Sequence, residues 1–581
     1  MKKYSADFET ATWLEDRTYV WAWALSDIDN VDDVILGNSI ESFIEFLSKK
    51  SARYYFMNLK FDGEFIICYL ETIGFKLLKD NDDITDNSYR TLISDAGAFY
   101  SIEIYFKTKG KKVKATIYDG LKLIPMSVDK IPEAFGLDIK KLDLDYDTVR
   151  EVGHILTEHE IAYISNDVKI PAIALGMMFK ENLSKMTIGA NALNYYKNVV
   201  GMHSFERLFP TIDRELDEEL RKSYKGGFTY MNGIYKNKTN GETVNLDINS
   251  LYPYCMRYKP LCYGTPIHYE GEYVDDKVYP LYIQKILVCF TLKKNMIPTI
   301  QVKNTYLFSE KEYLKSSDGE IIPLTLTSVD LKLFLEHYDT SYIEYVEGWK
   351  FKAKYDIFSD YIDYWIQVKN SATLEGNKGK RQLAKLLLNS LYGKFAQKLT
   401  AREKYPYLED GIVKYETSEE KEKKGLYLPI GAFITSYGRD TIIRASQAVT
   451  DYSLKKYGKD LYYYSDTDSL KTGLPINDLE EFLQIDDVKL GAFKNEGIAR
   501  KSKFVRQKTY LEEVYNKKKD KWEISITCAG MPSTCFKYVT WETFTEGFTC
   551  SGKLAYKHVK GGVKLVDTDF TIKADLFQKR Y

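Results

Sequence analysis

Two sets of carboxylates, far apart in the chain, have the spacing that metal-assisted phosphate chemistry needs. The first comprises Asp7 and Glu9 in Asp-Phe-Glu, Asp62 in Asn-Leu-Lys-Phe-Asp and Asp167 in Tyr-Ile-Ser-Asn-Asp. Residues two apart on a strand share a face, so Asp7 and Glu9 can converge. Tyr163 and Asp167, four apart, share one face of a helix. Four hard oxygen donors suit a pair of Mg²⁺ or Mn²⁺ ions. Such a pair, about 4 Å apart, activates a water and stabilises the departing 3′ oxygen in phosphodiester hydrolysis. Tyr163 would orient that water. A lone Asp-x-Glu is ordinary surface chemistry; the ordered set within one segment is not.

The second set is Asp247 in Leu-Asp-Ile-Asn-Ser-Leu-Tyr-Pro with Asp466 and Asp468 in Tyr-Ser-Asp-Thr-Asp-Ser. At the end of one strand and the turn of a hairpin, these can hold two ions for nucleotidyl transfer. Between them in sequence, KGKRQLAKLLLNSLYGKFAQK reads as an amphipathic helix with Leu383, Leu386, Leu387 and Leu391 on its apolar side. Arg381, Lys385, Asn389 and Tyr392 fall on roughly one opposite face. Lys385 can neutralise phosphate charge, and Tyr392 can stack against an incoming base pair. The plain alternative is a solvated cationic face. His154, Glu158 and His159 are spaced one residue too widely for an inverted zinc-protease pattern, and they read as a surface helix.

These residues need several domains to position them, because 581 residues exceed one hydrophobic core. Up to about residue 187, strands and helices alternate as in an α/β domain with a mixed sheet. SIESFIEFLSKK has helical periodicity after a Ser N-cap. Residues 261–354 hold short β-like runs that look like an insertion, and 403–425 reads as a charged, exposed hairpin. DLYYYSDTDSLKTG reads as strand, tight turn, strand. The last 50 or so residues are β-rich and fit a small subdomain.

A net charge of −1 gives no basic footprint for nucleic acid. Lys494, Arg500, Lys501, Lys503, Arg506 and Lys508 cluster locally, either facing DNA or as a solvated basic surface. Cys68, Cys255, Cys262, Cys289, Cys528, Cys535 and Cys550 form no CxxC pair, and the odd count predicts free thiols in a reducing compartment. With no apolar run of membrane-spanning length and no signal-like start, the expected location is cytoplasmic.

With both carboxylate sets in hand, the chain closely resembles the protein-primed family B DNA polymerases of the phi-twenty-nine-type phages. The carriers are DFET, NLKFDG, YISND, YKGG, LDINSLYP, LAKLLLNSLYGKFA, TSYGR, SDTDS, KTY, CAGM and GGVKLVDTDFTIK, in order along almost the whole chain. The resemblance implies a multidomain α/β and α+β protein, with an RNase H-like 3′→5′ exonuclease domain at 1–187. The right-hand polymerase follows as palm 188–260 and 426–525, fingers 355–395 and thumb 526–581. It also implies insertions at 261–354, contacting a priming protein, and 396–425, closing a ring for processivity and strand displacement.

By motif position, Tyr252 should be the steric gate against a 2′-hydroxyl. Thr435, Arg439, Lys508 and Tyr510 should hold the primer terminus, and Tyr224, Gly226 and Gly227 should join the two clefts. Lys141 resembles the auxiliary exonuclease lysine. Thr10, Tyr55, Asn58, Phe61 and Leu121 should handle the frayed single strand. Lys369 should be a second phosphate lysine, with Lys378 and Lys380 as alternatives. Ile248 joins Asp247, Asp466 and Asp468 in the implied metal set. Gly120 and Met57 depart from the family's usual residues. The implied cofactors are two Mg²⁺ per site, with Mn²⁺ as substitute. The implied partners are template and primer DNA, dNTPs and a terminal protein, for a monomer in the host bacterial cytoplasm. A catalytically silent DNA-binding protein on the same fold, and a polymerase using an RNA template or conventional primers, are the competing readings.

Overall fold

The computed structural model describes every residue except 109–110, 147, 302–312, 424, 517–518 and 574–581. Parts of the 261–354, 396–425 and 526–581 segments therefore lie outside the described residues.

Each carboxylate set is built around its own eight-stranded sheet. In the first, Lys3–Thr10 lies between antiparallel Val20–Asp27 and parallel Ala52–Phe56, and Lys111–Asp119 continues the parallel run. The sheet is mixed because the chain reaches Ala52 by a helical crossover, Ile40–Leu47, capped by Ser39. Period-2 alternation turns Phe8 to the opposite face from Asp7 and Glu9. There it meets Phe43 and Phe56 edge-on at 4.8 and 4.9 Å. The helix Glu158–Lys180 packs on the carboxylate face and brings Asp167 with it. Its start corrects one expectation. Thr157 and Glu160 close a capping box, and Glu160 also binds Arg150 and His154. The helix cannot extend back through these contacts, so His154 precedes it and only Glu158 and His159 are on it.

In the second sheet Thr243–Ile248 lies between Ser469–Thr472 and Phe493–Arg506, so Asp247 faces Ser469 on one side and Lys494 on the other. The 30-residue helix Leu428–Tyr457 underlies it, with Pro429 in its first turn and Gly458, at φ 67°, ending it.

The segment 261–354 contains a four-stranded sheet: Leu261–Glu270, Tyr338–Lys354, Leu281–Leu292 and Ile322–Thr327 in spatial order. Its strands are longer than the short runs expected, because β-bulges interrupt the alternation within them. The hairpin Lys404–Glu409/Ile412–Thr417 is not simply exposed. Its Tyr405 and Val413 are buried, and Tyr415 packs edge-on to Phe99 of the first domain.

The C-terminal hairpin Thr549–Val559/Gly562–Thr571 reaches back to the start of the chain. Thr18 N–H donates to Lys560 O at 2.9 Å, and the Gly561 N–H donates to Gly411 O at 3.3 Å. The expectation of seven free thiols is corrected: Cys535 and Cys550 form a disulfide, and the other five are free. The turn Ser533–Tyr538 packs against this hairpin and places Cys535 and Cys550 with Cα atoms 5.9 Å apart, a proximity that no local spacing advertises.

Candidate active sites

The first cavity, about 500 Å³, is lined by Asp7, Glu9, Asp62 and Asp167 together with Thr10, Asn58, Phe61, Lys141, Tyr146 and Tyr163. Carboxylate oxygens of Asp7, Glu9 and Asp167 lie within 4.8 Å of one another. Burial, then the charge of Asp167, pushes Asp7 up to about 7. Glu9 and Asp62 are raised well above the ordinary range, again by burial first and neighbouring carboxylates second. Asp62 Oδ1 and Asp167 Oδ1 are buried without a hydrogen-bond partner. Lys141 pairs with the other oxygen of Asp167 and lies over the Tyr163 ring. Tyr163, 2% exposed, shares a 2.7 Å hydrogen bond with Tyr146, a residue without a sequence motif of its own. Asn58 tolerates φ 78° at the turn into the helix Leu59–Thr72, as Asn commonly does, and donates to the Tyr556 hydroxyl at 3.0 Å. Leu554, Val563, Lys564 and Leu565 of the C-terminal hairpin complete the wall; no residue role had been assigned to that hairpin.

Two residues expected at this strand site lie elsewhere. Tyr55 is 3% exposed, with its ring 5.5 Å from Tyr118 and 5.3 Å from Phe179, so aromatic packing holds it in the core. Leu121 lies outside the cavity lining, in a 3₁₀ turn whose N-cap Asp119 accepts its N–H at 3.0 Å. The two family departures turn out to touch: a Cβ on Gly120 would sit 2.5 Å from Met57 Sδ.

The second cavity, about 780 Å³, is lined by Asp247 and Asp468, by Lys369, Arg381, Lys385 and Lys494, and by Asn249, Tyr252, Asn389 and Tyr392. Burial, then Asp468, pushes Asp247 up to about 7, while Lys494 and Lys385 oppose the rise. Asp468 is raised for the same leading reason, with Lys508 and Lys385 opposing. Lys369 is lowered by burial and then by the charges of Arg381 and Lys385. Lys369 lines this cleft, whereas Lys378 packs by the Gly136 turn of the first domain and Lys380 is also outside the lining. Arg381, Lys385 and Asn389 are exposed on one face of the helix Lys378–Ser390, opposite buried Leu383 and Leu387. The Tyr252 and Tyr392 rings lie 4.3 Å apart. A Cβ at Gly227 would sit 2.6 Å from Thr467 Oγ1 and 3.0 Å from the Tyr252 hydroxyl, so only glycine lets that loop approach.

Asp466 is not brought into this cleft. It accepts from Lys508 Nζ at 2.6 Å and from Thr229 Oγ1 at 3.0 Å, which turn it aside from Asp247 and Asp468. Ile248 is fully buried, and its N–H donates to Asp468 O at 2.8 Å; it ties the two carboxylate strands together, and the only metal donor it has is its main-chain carbonyl. Two other expected primer contacts are internal. Thr435 is buried and donates to Gly431 O within its own helix. Arg439, 3% exposed, pairs with Asp330 at 2.6 Å and donates to the carbonyls of Lys225 and Gly226. It therefore fixes the loop after half-buried Tyr224. Tyr510 lies against Tyr464, ring centroids 5.2 Å apart. The basic cluster is largely paired: Lys494 with Glu496, Arg500 and Lys501 with Glu513, Lys508 with Asp466, while Lys503 donates to Trp541 O.

Residues 44–158 and 152–472 match the family described as DNA polymerase type B, organellar and viral. The chain is 43% identical to the DNA polymerases of Bacillus phage M2 and Bacillus phage phi29 over 98% of its length, covering 100% and 99% of theirs. This chain belongs to the type B DNA polymerases. Within that family its similarity is to the phi29-type phage enzymes, and the DNA polymerase of Streptococcus phage Cp-1 is 32% identical over 98% of the chain. The solved structure of Phi29 DNA polymerase with primer-template DNA superposes at TM-score 0.91, at 42% identity, covering 98% of this chain and 100% of that one. The same enzyme with primer-template DNA and incoming nucleotide superposes at 0.90. The polymerase thus has the fold of exonuclease and polymerase domains in one chain. Among its described residues no helix is long and apolar enough to cross a membrane.

Proposed function

We propose that this DNA polymerase extends primers in the cleft around Asp247 and Asp468 and removes mispaired 3′ ends in the cavity around Asp7, Glu9, Asp62 and Asp167. One observation carries the reading: a single chain holds two separate carboxylate cavities, one lined by the four cations Lys369, Arg381, Lys385 and Lys494 and the other by only Lys141 and Lys564. The donor set of the first cavity fits divalent cations, since Asp62 and Asp167 each keep a buried oxygen without a hydrogen-bond partner. Asp7, Glu9, Asp62 and Asp167 would hold Mg²⁺ or Mn²⁺ in one site, and Asp247 and Asp468 in the other. When bound, such ions lower the pKa of an attacking water or 3′-hydroxyl and offset charge on the departing oxygen.

The chain's own groups do the rest. Lys369, Arg381 and Lys385 receive the triphosphate, and Asn389 shares their face. Tyr252 closes the space beneath the deoxyribose, where a 2′-hydroxyl would clash, and Tyr392 backs it. Lys508 steadies Asp466 beside the cleft, and Tyr510 packs behind it. In the exonuclease cavity Lys141 holds Asp167, Tyr163 orients the water, and Thr10, Asn58 and Phe61 grip the frayed strand. Solved Phi29 structures contain primer-template DNA, single-stranded DNA and incoming nucleotides, which are the partners proposed for this chain.

Priming on a terminal protein is assigned to the Leu261–Lys354 sheet. Processive, strand-displacing synthesis by a monomer is assigned to the contact between the two hairpins where Gly561 meets Gly411. Primer extension with Mg²⁺ tests the core of the reading. Asp468→Ala should lose extension and keep degradation of single-stranded DNA, and Asp7→Ala/Glu9→Ala should do the reverse; normal extension by Asp468→Ala would refute the assignment. Attachment of a labelled deoxynucleotide to the cognate terminal protein tests the priming mode, and no product under conditions that support extension would count against it.

A further inference from the structure

Behind the nucleotide cleft lies a clamp whose residues belong to neither carboxylate set. Asn249, two residues after Asp247 and three before Tyr252, uses its side chain and its main chain on the same loop. Its Nδ2 donates to Asp486 O at 2.8 Å and to Lys489 O at 3.2 Å. Its N–H donates to Ala492 O, and its carbonyl accepts from Gly491 N–H, both at 2.9 Å. The loop is closed from within as well, because Asp486 Oδ1 accepts the N–H groups of Val488 and Lys489 at 2.8 and 2.7 Å. Its end is seated against Tyr254: Gly491, at φ 82°, has no room for a Cβ against that ring.

The loop and the strand end therefore form one body, and both line the nucleotide cavity, the loop through Asp487 and Val488 and the strand end through Asn249 and Ser250. Ser250 adopts φ 52°, an unfavourable backbone for a residue other than glycine, at the point where the helix Leu251–Tyr258 begins. Such a turn persists when its surroundings over-determine it, and the four hydrogen bonds of Asn249 do so. They fix the angle at which the helix presents Tyr252 toward Tyr392 and toward the sugar.

We infer that Asn249 is a positioning residue for nucleotide binding and sugar selection: it locks the Asp486–Gly491 loop to the turn that aims Tyr252, without itself touching the reacting atoms. This rests on the reading of the Lys385/Tyr252 cleft as the nucleotide site.

The test is single-turnover incorporation of one deoxynucleotide on a primer-template by the full-length polymerase. Asn249→Ala removes both side-chain hydrogen bonds, and Asn249→Asp keeps the size while losing the donor. Each should raise the apparent Kd for the deoxynucleotide about tenfold, the worth of one or two hydrogen bonds. Each should also narrow discrimination against the ribonucleotide, with the maximal rate changed by less than about threefold and with primer-template affinity and single-strand degradation unchanged. An unchanged Kd and unchanged ribonucleotide discrimination in Asn249→Asp would overturn the inference. So would a parallel loss of extension, DNA binding and degradation in both variants, which is the mark of a merely structural role. Lys385→Ala in the same assay separates the two claims: if it too leaves nucleotide Kd unmoved, the cleft assignment fails, and if it alone raises Kd, only the role of Asn249 fails.

Discussion

The two cavities set the same acidic residue type among different numbers of cations, two in one lining and four in the other. Around Asp7 the neighbours are Glu9, Asp62 and Asp167, with Lys141 and Lys564 as the cations in the lining, the latter donating to the Leu14 carbonyl. Around Asp247 and Asp468 stand Lys369, Arg381, Lys385 and Lys494. The difference follows the charge each proposed substrate brings. A phosphodiester carries one negative charge, so an acidic cavity neutralised by bound ions can accept it. A triphosphate carries about four, which with Asp247 and Asp468 makes about six, so two divalent ions leave an excess of about two for fixed cations to balance. Burial still pushes one carboxylate in each site, Asp7 and Asp247, up to about 7. The cationic wall therefore serves the substrate more than the acids.

The largest expected effect separates the two sites outright. Removing Asp468 should lower extension about a thousandfold or more, the value of several kcal/mol of charge stabilisation, while degradation persists, and the Asp7/Glu9 double variant should mirror it. Gel assays of both activities on both proteins would show at once whether the cavities are independent.

Next, Lys385→Ala should raise the KM for deoxynucleotides roughly tenfold to a hundredfold and leave degradation unchanged. A degradation rate that fell equally would mean the cationic wall is not particular to one site.

A smaller effect is expected at Tyr146→Phe, which deletes the hydroxyl partner of Tyr163; degradation should drop by about threefold to tenfold with extension intact, measured on single-stranded DNA.

The smallest is a stability effect shared by both sites. With Asp7 and Asp247 raised to about 7, the metal-free folded chain holds protons that the unfolded chain has released. Its stability should therefore fall as pH rises from about 4 through about 7, and Glu9 and Asp62, which are also raised, add to the fall. Mg²⁺ binds the deprotonated acids, so the gain in Tm on adding Mg²⁺ should be larger near about pH 8 than near about pH 6. A gain independent of pH would argue against protonated carboxylates in either cavity.

What the sequence made legible were groups whose function demands fixed local spacing. Asp7 and Glu9 share a strand face, Tyr163 and Asp167 share a helix face, and Arg381, Lys385 and Asn389 repeat every fourth residue, so periodicity alone places them together. What stayed hidden depends on partners distant in the chain. Asp466 is turned aside by Lys508, 42 residues on. Arg439 is claimed by Asp330, 109 residues earlier, and Asn249 reaches 237 residues ahead to Asp486. The same holds for Tyr55, whose core position depends on Phe179, and for the pairing of Cys535 with Cys550. A motif identifies which residue stands at a position, whereas the side chain's direction is decided by what the fold sets beside it.

The contact between Gly120 and Met57 has an evolutionary reading. Because any side chain at 120 must displace the Met57 thioether, which itself lines the exonuclease cavity, the two positions are epistatic. A serine introduced at 120 in this background would displace Met57 from its place in the cavity wall, whereas the same serine after Met57 had been shortened would be tolerated. The accessible path from this chain to a larger residue at 120 therefore has an order, with position 57 changing first.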